Sequence, residues 1–327
     1  MTEYSLVPNS QFAAGSFSQV HVCVRDGVKY AAKIYDKNCL TRKSNRLKRA
    51  GADAATAVKN ELATIQLLKE SGCTGVLCHE DILETEEELM IVFKMCRPIL
   101  IPQPGAEERF ECVWMFRDAR PSEDVVEGYI PDRWRGICEP SVNTYITPAG
   151  GQLTLQQVAN VMRSVCSAVS AMHCLGICHR DIKIENVLQL GDQILLADFS
   201  HCVKTSECTT GGTGAFPLYS PQEARGEAFS AEMADVWQLG VLFYVLLFGC
   251  LPVDCVGVGT LLEKLRALPD NFPPPPPNRC RWDGRLAEGD QWVELLNGML
   301  RVNECERYDL RRAERHPFLA PECEIQT

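Results

Sequence analysis

The chain has 327 residues, of which 46% are hydrophobic, so it is long enough to fold as a two-lobed unit or as two domains around a sizeable core. Its formal net charge of -10 argues against a protein that binds nucleic acid through phosphate contacts, since such proteins usually present a basic surface. We therefore expect no nucleic-acid partner.

The cysteine content and the apolar runs indicate a cytoplasmic protein. Seventeen cysteines would suit a disulfide framework in a short secreted chain, but this chain is long and residues 1–4 open no apolar signal segment, so we expect reduced thiols. The longest apolar run, residues 239–251, is shorter than the about 20 residues that cross a bilayer, and it predicts a buried core helix. We expect no membrane partner and a cytoplasmic location, with access to the nucleus left open.

The first part of the chain, residues 1–96, predicts a small antiparallel lobe. Strand-like runs at residues 20–24 and 30–35 are joined by a hairpin-like turn. Two more strands are predicted at residues 81–84 and 89–93. Between the two pairs of strands, apolar residues recur at helical spacing and predict a helix over residues 53–71. These apolar residues are Val58, Leu62, Ile65 and Leu68.

Residues 97–150 break this pattern, because they are rich in proline, glycine and charge and yet carry Trp114, Phe116 and Trp134. We predict an insertion here. A long segment of this kind is either a solvated surface elaboration or a docking element for a partner, and both interpretations remain open.

The last part of the chain, residues 151–327, predicts a larger and mainly helical region. Thr154 and Gln157 are spaced as a capping box for a long helix. The apolar face of this helix is formed by Leu155, Val158, Met162, Val165, Val169 and Met172. Further helices are predicted at residues 235–251, 291–301 and 310–315, and the run of prolines at residues 273–277 is either a stiff connector or a ligand for a proline-binding module.

Two short motifs follow the long helix. The first is His179-Arg180-Asp181-Ile182-Lys183-Ile184-Glu185-Asn186, and Asp198-Phe199-Ser200 begins twelve residues after it. Together they supply two carboxylates and an amide, which phosphoryl transfer requires. The pair resembles the catalytic loop and metal-binding turn of eukaryotic protein kinases, a resemblance that extends over residues 8–96 and 152–318. It implies an α+β, bilobal fold, with a small antiparallel β-sheet lobe, a hinge-region insertion and a larger helical lobe.

The resemblance also implies roles for residues of the two motifs. Asp181 would accept the proton of the attacking hydroxyl, and Lys183 would stabilise the transferring phosphate in the pattern of serine/threonine kinases. Asn186 and Asp198 would supply oxygen ligands to Mg²⁺. The implied activity is ATP-dependent phosphoryl transfer to serine and threonine hydroxyls of protein substrates.

In the first lobe the resemblance implies an ATP site. Lys33 would hold the α and β phosphates, and Glu61 would pair with Lys33, with Glu70 as the alternative partner. The implied ATP-binding residues are Ala13, Ala14, Gly15, Ser16, Phe17, Ser18, Val20, Ala31, Lys33, Phe93, Lys94, Met95 and Cys96. The phosphate-covering loop keeps only the middle glycine of the family pattern, Gly15, so reduced ATP affinity is expected.

Other departures leave a second hypothesis open, a catalytically weak pseudokinase that acts as a nucleotide-binding scaffold. Ser200 replaces the glycine after Asp-Phe, and Gln222 replaces the glutamate of Ala-Pro-Glu, so Arg307 would bond either Gln222 or its neighbour Glu223. Ala215 stands where the family has a threonine. Thr213, two residues earlier, would take the role of that threonine if the loop bulges. Asp235 is expected to secure the backbone of the catalytic loop.

Three threonines that lie between the second motif and Pro221 are candidate phosphorylation sites. A phosphate on Thr209 or Thr210 would engage Arg180, since phosphate and guanidinium pair strongly, and Thr213 is a further candidate. The alternative is a polar loop without this role. The ligand types of His173-Cys174 and Cys178-His179 suit zinc, but His179 belongs to the catalytic motif and the cysteines fit a buried helix end.

Overall fold

A computed structural model describes most of the chain outside the predicted insertion. It covers residues 4–11, 13–14, 18–38, 54–99, 101–102, 145–146, 153–205, 208–209, 218–249, 251–253, 263–268 and 291–320. The chain divides into two compact units, Met1–Arg97 with Leu188–Cys202, and Pro98–Val187 with Val203–Thr327. Because residues 103–144 lie outside the described ones, the predicted limits of the insertion stay a prediction.

The first unit is built on an antiparallel sheet, as expected from the alternating runs. Its strands are β1 (Ser5–Leu6), β2 (Ala13–Ala14), β3 (Ser18–Arg25), β4 (Val28–Asp36), β5 (His79–Glu84) and β6 (Glu88–Lys94). Their order is β1-β3-β4-β6-β5, with β2 on β3. Asp26 and Gly27 both have positive φ, 53° and 76°, so they form the tight turn that pairs Arg25 with Val28.

The helix of this unit, α1 (Ala54–Glu70), confirms the prediction from apolar spacing. Val58, Ile65 and Leu68 are buried, while Leu62 is only partly buried. The chain turns away after the helix at Gly72, whose φ is +64° and whose N–H donates to the Lys69 carbonyl. A separate cluster, formed by Tyr4, Cys23, Ala32 and Val92, packs within the sheet.

The segment Leu188–Cys202 belongs to the first unit although it follows the catalytic motif in the chain. Strands β11 (Val187–Leu190) and β12 (Gln193–Leu196) pair in one small sheet. The Leu77 N–H donates to the Leu196 carbonyl and the Leu196 N–H to the Gly75 carbonyl, both at 2.8 Å. Leu77, Leu195 and Ala197 then form a buried cluster, which fixes the position of Asp198 within this unit.

Short strands outside the main sheet are β7 (Arg97–Pro98), β8 (Ile101–Pro102), β9 (Tyr145–Ile146), β10 (Ile177–Cys178), β13 (Val203–Lys204), β14 (Cys208–Thr209) and β15 (Phe229–Ser230). The helices of the second unit are α2 (Leu155–Cys174), α3 (Pro221–Arg225), α4 (Ala231–Phe248), α5 (Gln291–Met299) and α6 (Leu310–Glu314), with 3₁₀ turns at Ile184–Asn186 and Pro317–Leu319. The capping box of α2 is confirmed, because the Thr154 hydroxyl accepts from the Gln157 N–H and Gln157 accepts from the Thr154 N–H.

Helix α4 forms the centre of the second unit. It begins after the N-cap Ser230 and ends before Gly249, so it is shifted toward the N-terminus relative to the predicted residues 235–251. The shift follows from Gly249, whose φ of +66° ends the helix. With a mean hydropathy of 1.4, α4 is long and apolar enough to span a membrane, but 89% of it is buried in the protein. It is therefore a core helix, as predicted.

Close packing of α5 predicts a large effect of a small substitution. A Cβ atom added at Gly298 would lie 2.5 Å from the Tyr308 ring. We expect Gly298→Ala to lower the free energy of unfolding by about 1–3 kcal/mol, because overpacking displaces the ring. Urea unfolding would measure this loss. Gln291→Ala, at the exposed start of the same helix, is the control and should change the value by less than about 0.5 kcal/mol.

Candidate active site

The first cluster of functional side chains is centred on Lys33 of β4. Its Nζ atom lies 2.6 Å from Oε1 of Glu61 and 2.9 Å from Oδ1 of Asp198. Glu61 is 2% exposed and Lys33 is mostly buried. Glu70, the alternative partner, instead accepts a hydrogen bond from Gln66 at the exposed end of α1. The structure therefore selects Glu61 as the partner of Lys33.

The two carboxylates keep Lys33 charged. Burial by itself lowers the pKa of the Lys33 amine, but the attraction of Asp198 and Glu61 outweighs burial and holds this pKa well above its ordinary value. A charged ammonium in a mostly buried position can bind an anionic group strongly, because little water screens it.

Tyr35 is part of this cluster, although sequence reasoning did not assign it a role. Its hydroxyl donates to Oε2 of Glu61, and Nζ of Lys33 lies 5.5 Å from its ring centroid. Burial and the neighbouring Glu61 raise the pKa of Tyr35, so its hydroxyl remains a donor. The available signal was the period of two in a strand, which places Tyr35 on the same side as Lys33.

Ser200 also has a contact that sequence reasoning missed. Its hydroxyl donates to Oδ1 of Asp198 at 2.9 Å. Asp198 itself has a φ of +64°, an unfavourable conformation for a residue with a side chain. The serine that replaces glycine in the family pattern thus adds a hydrogen bond to the strained aspartate.

The second cluster lies in the second unit and is centred on Asp181, which is fully buried. Its Oδ2 atom accepts from Nζ of Lys183 at 2.7 Å and from Nδ2 of Asn186 at 3.1 Å. Nδ2 of Asn186 also donates to the backbone carbonyl of Asp181 at 2.8 Å. The structure therefore brings together the three residues that the first motif predicted.

Helix α4 holds the backbone of this loop. Asp235 is fully buried and accepts from the N–H groups of His179 and Arg180, both at 2.8 Å. Gln238, one helical turn later, accepts from the Ile182 N–H at 2.8 Å and donates to the Arg180 carbonyl at 3.0 Å. Asp235 thus has the geometry expected for its role, whereas Gln238 was not recognised in the sequence.

His173 and Cys178 lie beside Asp235, and their potential ligand atoms are within 4.8 Å of one another. Nε2 of His173 is 2.9 Å from Oδ2 of Asp235, which is a direct hydrogen bond. Asp235 is also committed to the catalytic-loop backbone. Asp235 therefore stabilises the loop, and His173 contacts Asp235. Cys23 and Cys166 are buried and form no disulfide, whereas Cys174, expected at a buried helix end, is exposed.

Two arginine pairs fasten α3 to the rest of the second unit. Nη2 of Arg307 donates to Oε1 of Gln222 at 2.9 Å, and Nε2 of Gln222 donates to the Val302 carbonyl at 2.6 Å. Nη2 of Arg180 lies 2.6 Å from Oε1 of Glu223. Of the two partners considered for Arg307, the structure selects Gln222. Burial lowers the pKa of Arg307 to about 10, which still leaves it charged at neutral pH.

Several predicted site residues are only partly covered. Gly15, Ser16, Phe17, Thr210 and Thr213 lie outside the described residues, as does Ala215. For Ala13, Ala14 and Thr209 the backbone strands alone are described.

The other predicted ATP-binding residues lie in or beside the main sheet. Val20 pairs with Lys33 and Ala31 with Phe93, while Ser18 is buried. Phe93 and Cys96 pack on the Leu77 cluster, Met95 is partly buried, and Lys94 lies 3.6 Å from Glu80. Their role in binding ATP stays a prediction.

Comparison with known proteins identifies similar sequences among protein kinases. The family model of the protein kinase domain matches residues 137–319, more than half of the chain. The chain is 33% identical over 178 residues to a maternal embryonic leucine zipper kinase of Xenopus laevis, covering 52% of this chain and 25% of that protein. It is 29% identical over 177 residues to a probable myosin light chain kinase of Dictyostelium discoideum, covering 52% and 43%. The chain thus spans less than half the length of either relative.

The matched range contains Asp181, Asn186 and Asp198, together with Asp235 and Arg307. Lys33 and Glu61 precede residue 137, so their assignment depends on the contacts of the first cluster. Those contacts join Lys33 to Asp198, a residue inside the matched range.

Proposed function

Because the chain belongs to the protein kinase family, we propose that it transfers the γ-phosphoryl group of ATP to serine and threonine hydroxyls of protein substrates, with Mg²⁺ as cofactor. The observation that carries the proposal is the contact of one buried ammonium, that of Lys33, with both Glu61 and Asp198. Its charge and position suit it to hold the phosphates of a nucleotide, and Asp181 supplies a base.

The residues around Asp181 support a role in positioning the acceptor hydroxyl. Asp181 accepts two hydrogen bonds, from Lys183 and Asn186, which orient its carboxylate. In the proposed reaction Asp181 accepts the proton as the hydroxyl oxygen attacks the γ-phosphorus. Lys183 carries a positive charge beside this base and stabilises the negative oxygens of the transferring group.

The donor atoms present are of the type that Mg²⁺ prefers. The Asn186 amide nitrogen donates to Asp181, which leaves the amide oxygen as its ligand atom, and Asp198 offers a carboxylate. Mg²⁺ favours oxygen ligands of these kinds. When bound, this ion would neutralise charge on the nucleotide phosphates.

The departures from the family pattern do not disrupt the described contacts. Gln222 still pairs with Arg307, and Ser200 contributes a hydrogen bond to Asp198. Both observations favour an active enzyme over a scaffold without catalysis. The cytoplasmic location and a docking role for residues 97–150 stay predictions.

A single-turnover assay with labelled ATP and a library of serine, threonine and tyrosine peptides tests the proposal. We expect phosphate on serine or threonine, and a loss of about 100-fold or more in Asp198→Ala, because a group that stabilises phosphate charge through Mg²⁺ and Lys33 is removed. Asp192→Ala, an exposed aspartate between β11 and β12, is the matched control and should behave as wild type. ATP binding without transfer would favour the scaffold, and unchanged transfer by Asp198→Ala would show that the metal assignment is wrong.

A further inference from the structure

The ion pair between Arg180 and Glu223 is the least expected contact of the second unit. Nη2 of Arg180 lies 2.6 Å from Oε1 of Glu223, and both side chains are completely inaccessible to solvent. Arg180 precedes the proposed base Asp181, whereas Glu223 lies in α3, forty-three residues away in the chain. The pair therefore connects the catalytic loop to a distant element.

Glu223 is held rigidly for this contact. Its second carboxylate oxygen, Oε2, accepts from the Ser220 N–H at 2.8 Å, and its own N–H donates to the Ser220 hydroxyl, which completes a capping box at the start of α3. On the other side, the Arg180 guanidinium carbon lies 4.8 Å from the Phe229 ring centroid. Both partners thus have a second contact that fixes their orientation.

Electrostatics require a negative partner for Arg180. A buried positive charge without a counter-ion is very unfavourable. Burial raises the pKa of the Glu223 carboxyl, although Arg180 and Ser220 oppose this rise. Removing the acid alone would take away the described counter-ion of a buried cation next to the catalytic loop.

Arg307 does not compete for Glu223, because the neighbouring residue pairs with it. Gln222 occupies the position that pairs with Arg307 and satisfies Arg307 as a neutral acceptor. The next residue, Glu223, is the one acid of α3, and its side chain contacts Arg180. The sequence instead predicts a phosphate on Thr209 or Thr210 as the partner of Arg180, and such a phosphate would meet a guanidinium whose Nη2 already binds a buried carboxylate.

We propose that Glu223 is a positioning residue of the catalytic loop. It permanently supplies the negative partner of Arg180 that a phosphate on Thr209 or Thr210 would otherwise supply. Asp235 and Gln238 hold the loop backbone, and Glu223 holds the Arg180 side chain. The loop is therefore ordered, and the kinase is active, without a phosphate on Thr209, Thr210 or Thr213. This inference rests on the proposed kinase function.

The purified 327-residue chain tests the inference in two arms. In the first, wild-type protein is treated with a broad-specificity phosphatase until mass spectrometry detects no phosphate, and the phosphatase is then removed. Initial rates of peptide phosphorylation are compared before and after treatment. We expect kcat to stay within about two-fold, since a phosphate adds no positioning that Glu223 does not already give.

The second arm compares Glu223→Gln and Glu223→Asp with Glu227→Gln, which neutralises an exposed acid four residues later. We expect Glu223→Gln to lower kcat by about 10- to 100-fold while KM for ATP changes by less than about three-fold, because the loop rather than the nucleotide is misplaced. Glu223→Asp keeps the charge and should retain more activity than Glu223→Gln. Glu227→Gln should equal wild type.

Backbone hydrogen exchange over residues 179–186 gives a readout that needs no phosphoryl transfer. Faster exchange there in Glu223→Gln than in Glu227→Gln supports the positioning role even if the proposed function fails. If Glu223→Gln does not fold, Glu223→Asp and the phosphatase arm decide. The inference is overturned if dephosphorylation lowers kcat by about 10-fold or more, or if folded Glu223→Gln matches wild type in both kcat and exchange.

Discussion

Replacing Asp181 with asparagine is expected to lower kcat for peptide phosphorylation by about 10²- to 10⁴-fold, because an amide cannot accept the proton of the attacking hydroxyl. The volume of the side chain is nearly unchanged. One of its atoms can still accept from Lys183 or Asn186, the two donors at Oδ2 in the wild type. The loss should therefore appear in kcat, with little change in KM for ATP or in the temperature of unfolding.

Steady-state rates with a peptide that the enzyme phosphorylates would measure this effect. Asp192→Asn is the matched control, since the same chemical change is made at an exposed position between β11 and β12. Comparable rates for Asp181→Asn and wild type would contradict the assignment of Asp181 as the base. A parallel loss in both variants would indicate damage unrelated to proton transfer.

Replacing Lys33 with methionine is expected to affect both catalysis and stability. The change removes the Lys33 ammonium, which contacts both Glu61 and Asp198 and is the one cation in the described contacts of this cluster. We expect kcat/KM for ATP to fall by about 10²- to 10³-fold, because a donor to the nucleotide phosphates is lost. The free energy of unfolding should fall by about 3 kcal/mol, the lower end for a broken buried ion pair, since Tyr35 still donates to Glu61.

A surface ion pair near the end of the same strand provides the control for Lys33→Met. Nζ of Lys37 lies 2.6 Å from Oε1 of Glu84, but the Glu84 side chain is 65% exposed. Lys37→Met should therefore change the free energy of unfolding by less than about 1 kcal/mol and leave kcat/KM unchanged. Equal losses in the two variants would contradict a special role for Lys33.

The pH dependence of the Lys33 effect follows from the direction of its pKa shift. The ordinary value is 10.5, and the value in the folded protein is raised well above it. The stabilisation by this charged group is then fully present below pH 10.5 and is lost only as the pH rises through the folded value. The difference in unfolding free energy between wild type and Lys33→Met should thus be constant across neutral pH, as urea unfolding at several pH values would show.

Residues that act through local sequence patterns could be predicted without the structure. The capping residues Thr154 and Gln157, the buried face of α2 and the spacing of Asp181, Lys183 and Asn186 all concern neighbours within a helical turn or a short loop. In such cases the local backbone conformation decides which side chains meet, and it depends mainly on a few adjacent residues.

Partners far apart in the chain could not be predicted in the same way. Glu61 and Glu70 lie on one helix, and only the packing of α1 against β4 decided that Glu61 meets Lys33. Likewise, only the packing of α3 decided that Arg307 meets Gln222 while Glu223, which is also buried, meets Arg180. Tyr35 and Gln238 were missed for the same reason, since each acts on a residue of another element.

The sequence by itself determined the kinase family, the α+β fold and the residues that carry charge or accept protons, because these depend on motifs whose spacing is local. Only the tertiary structure decided how those charges are paired. Arg180 illustrates the difference, because its ion pair with Glu223, forty-three residues away in the chain, could not be predicted from the spacing of a motif. The physical reason is that a buried charge takes whichever counter-ion the fold brings within hydrogen-bonding distance, and that distance is unrelated to separation along the chain.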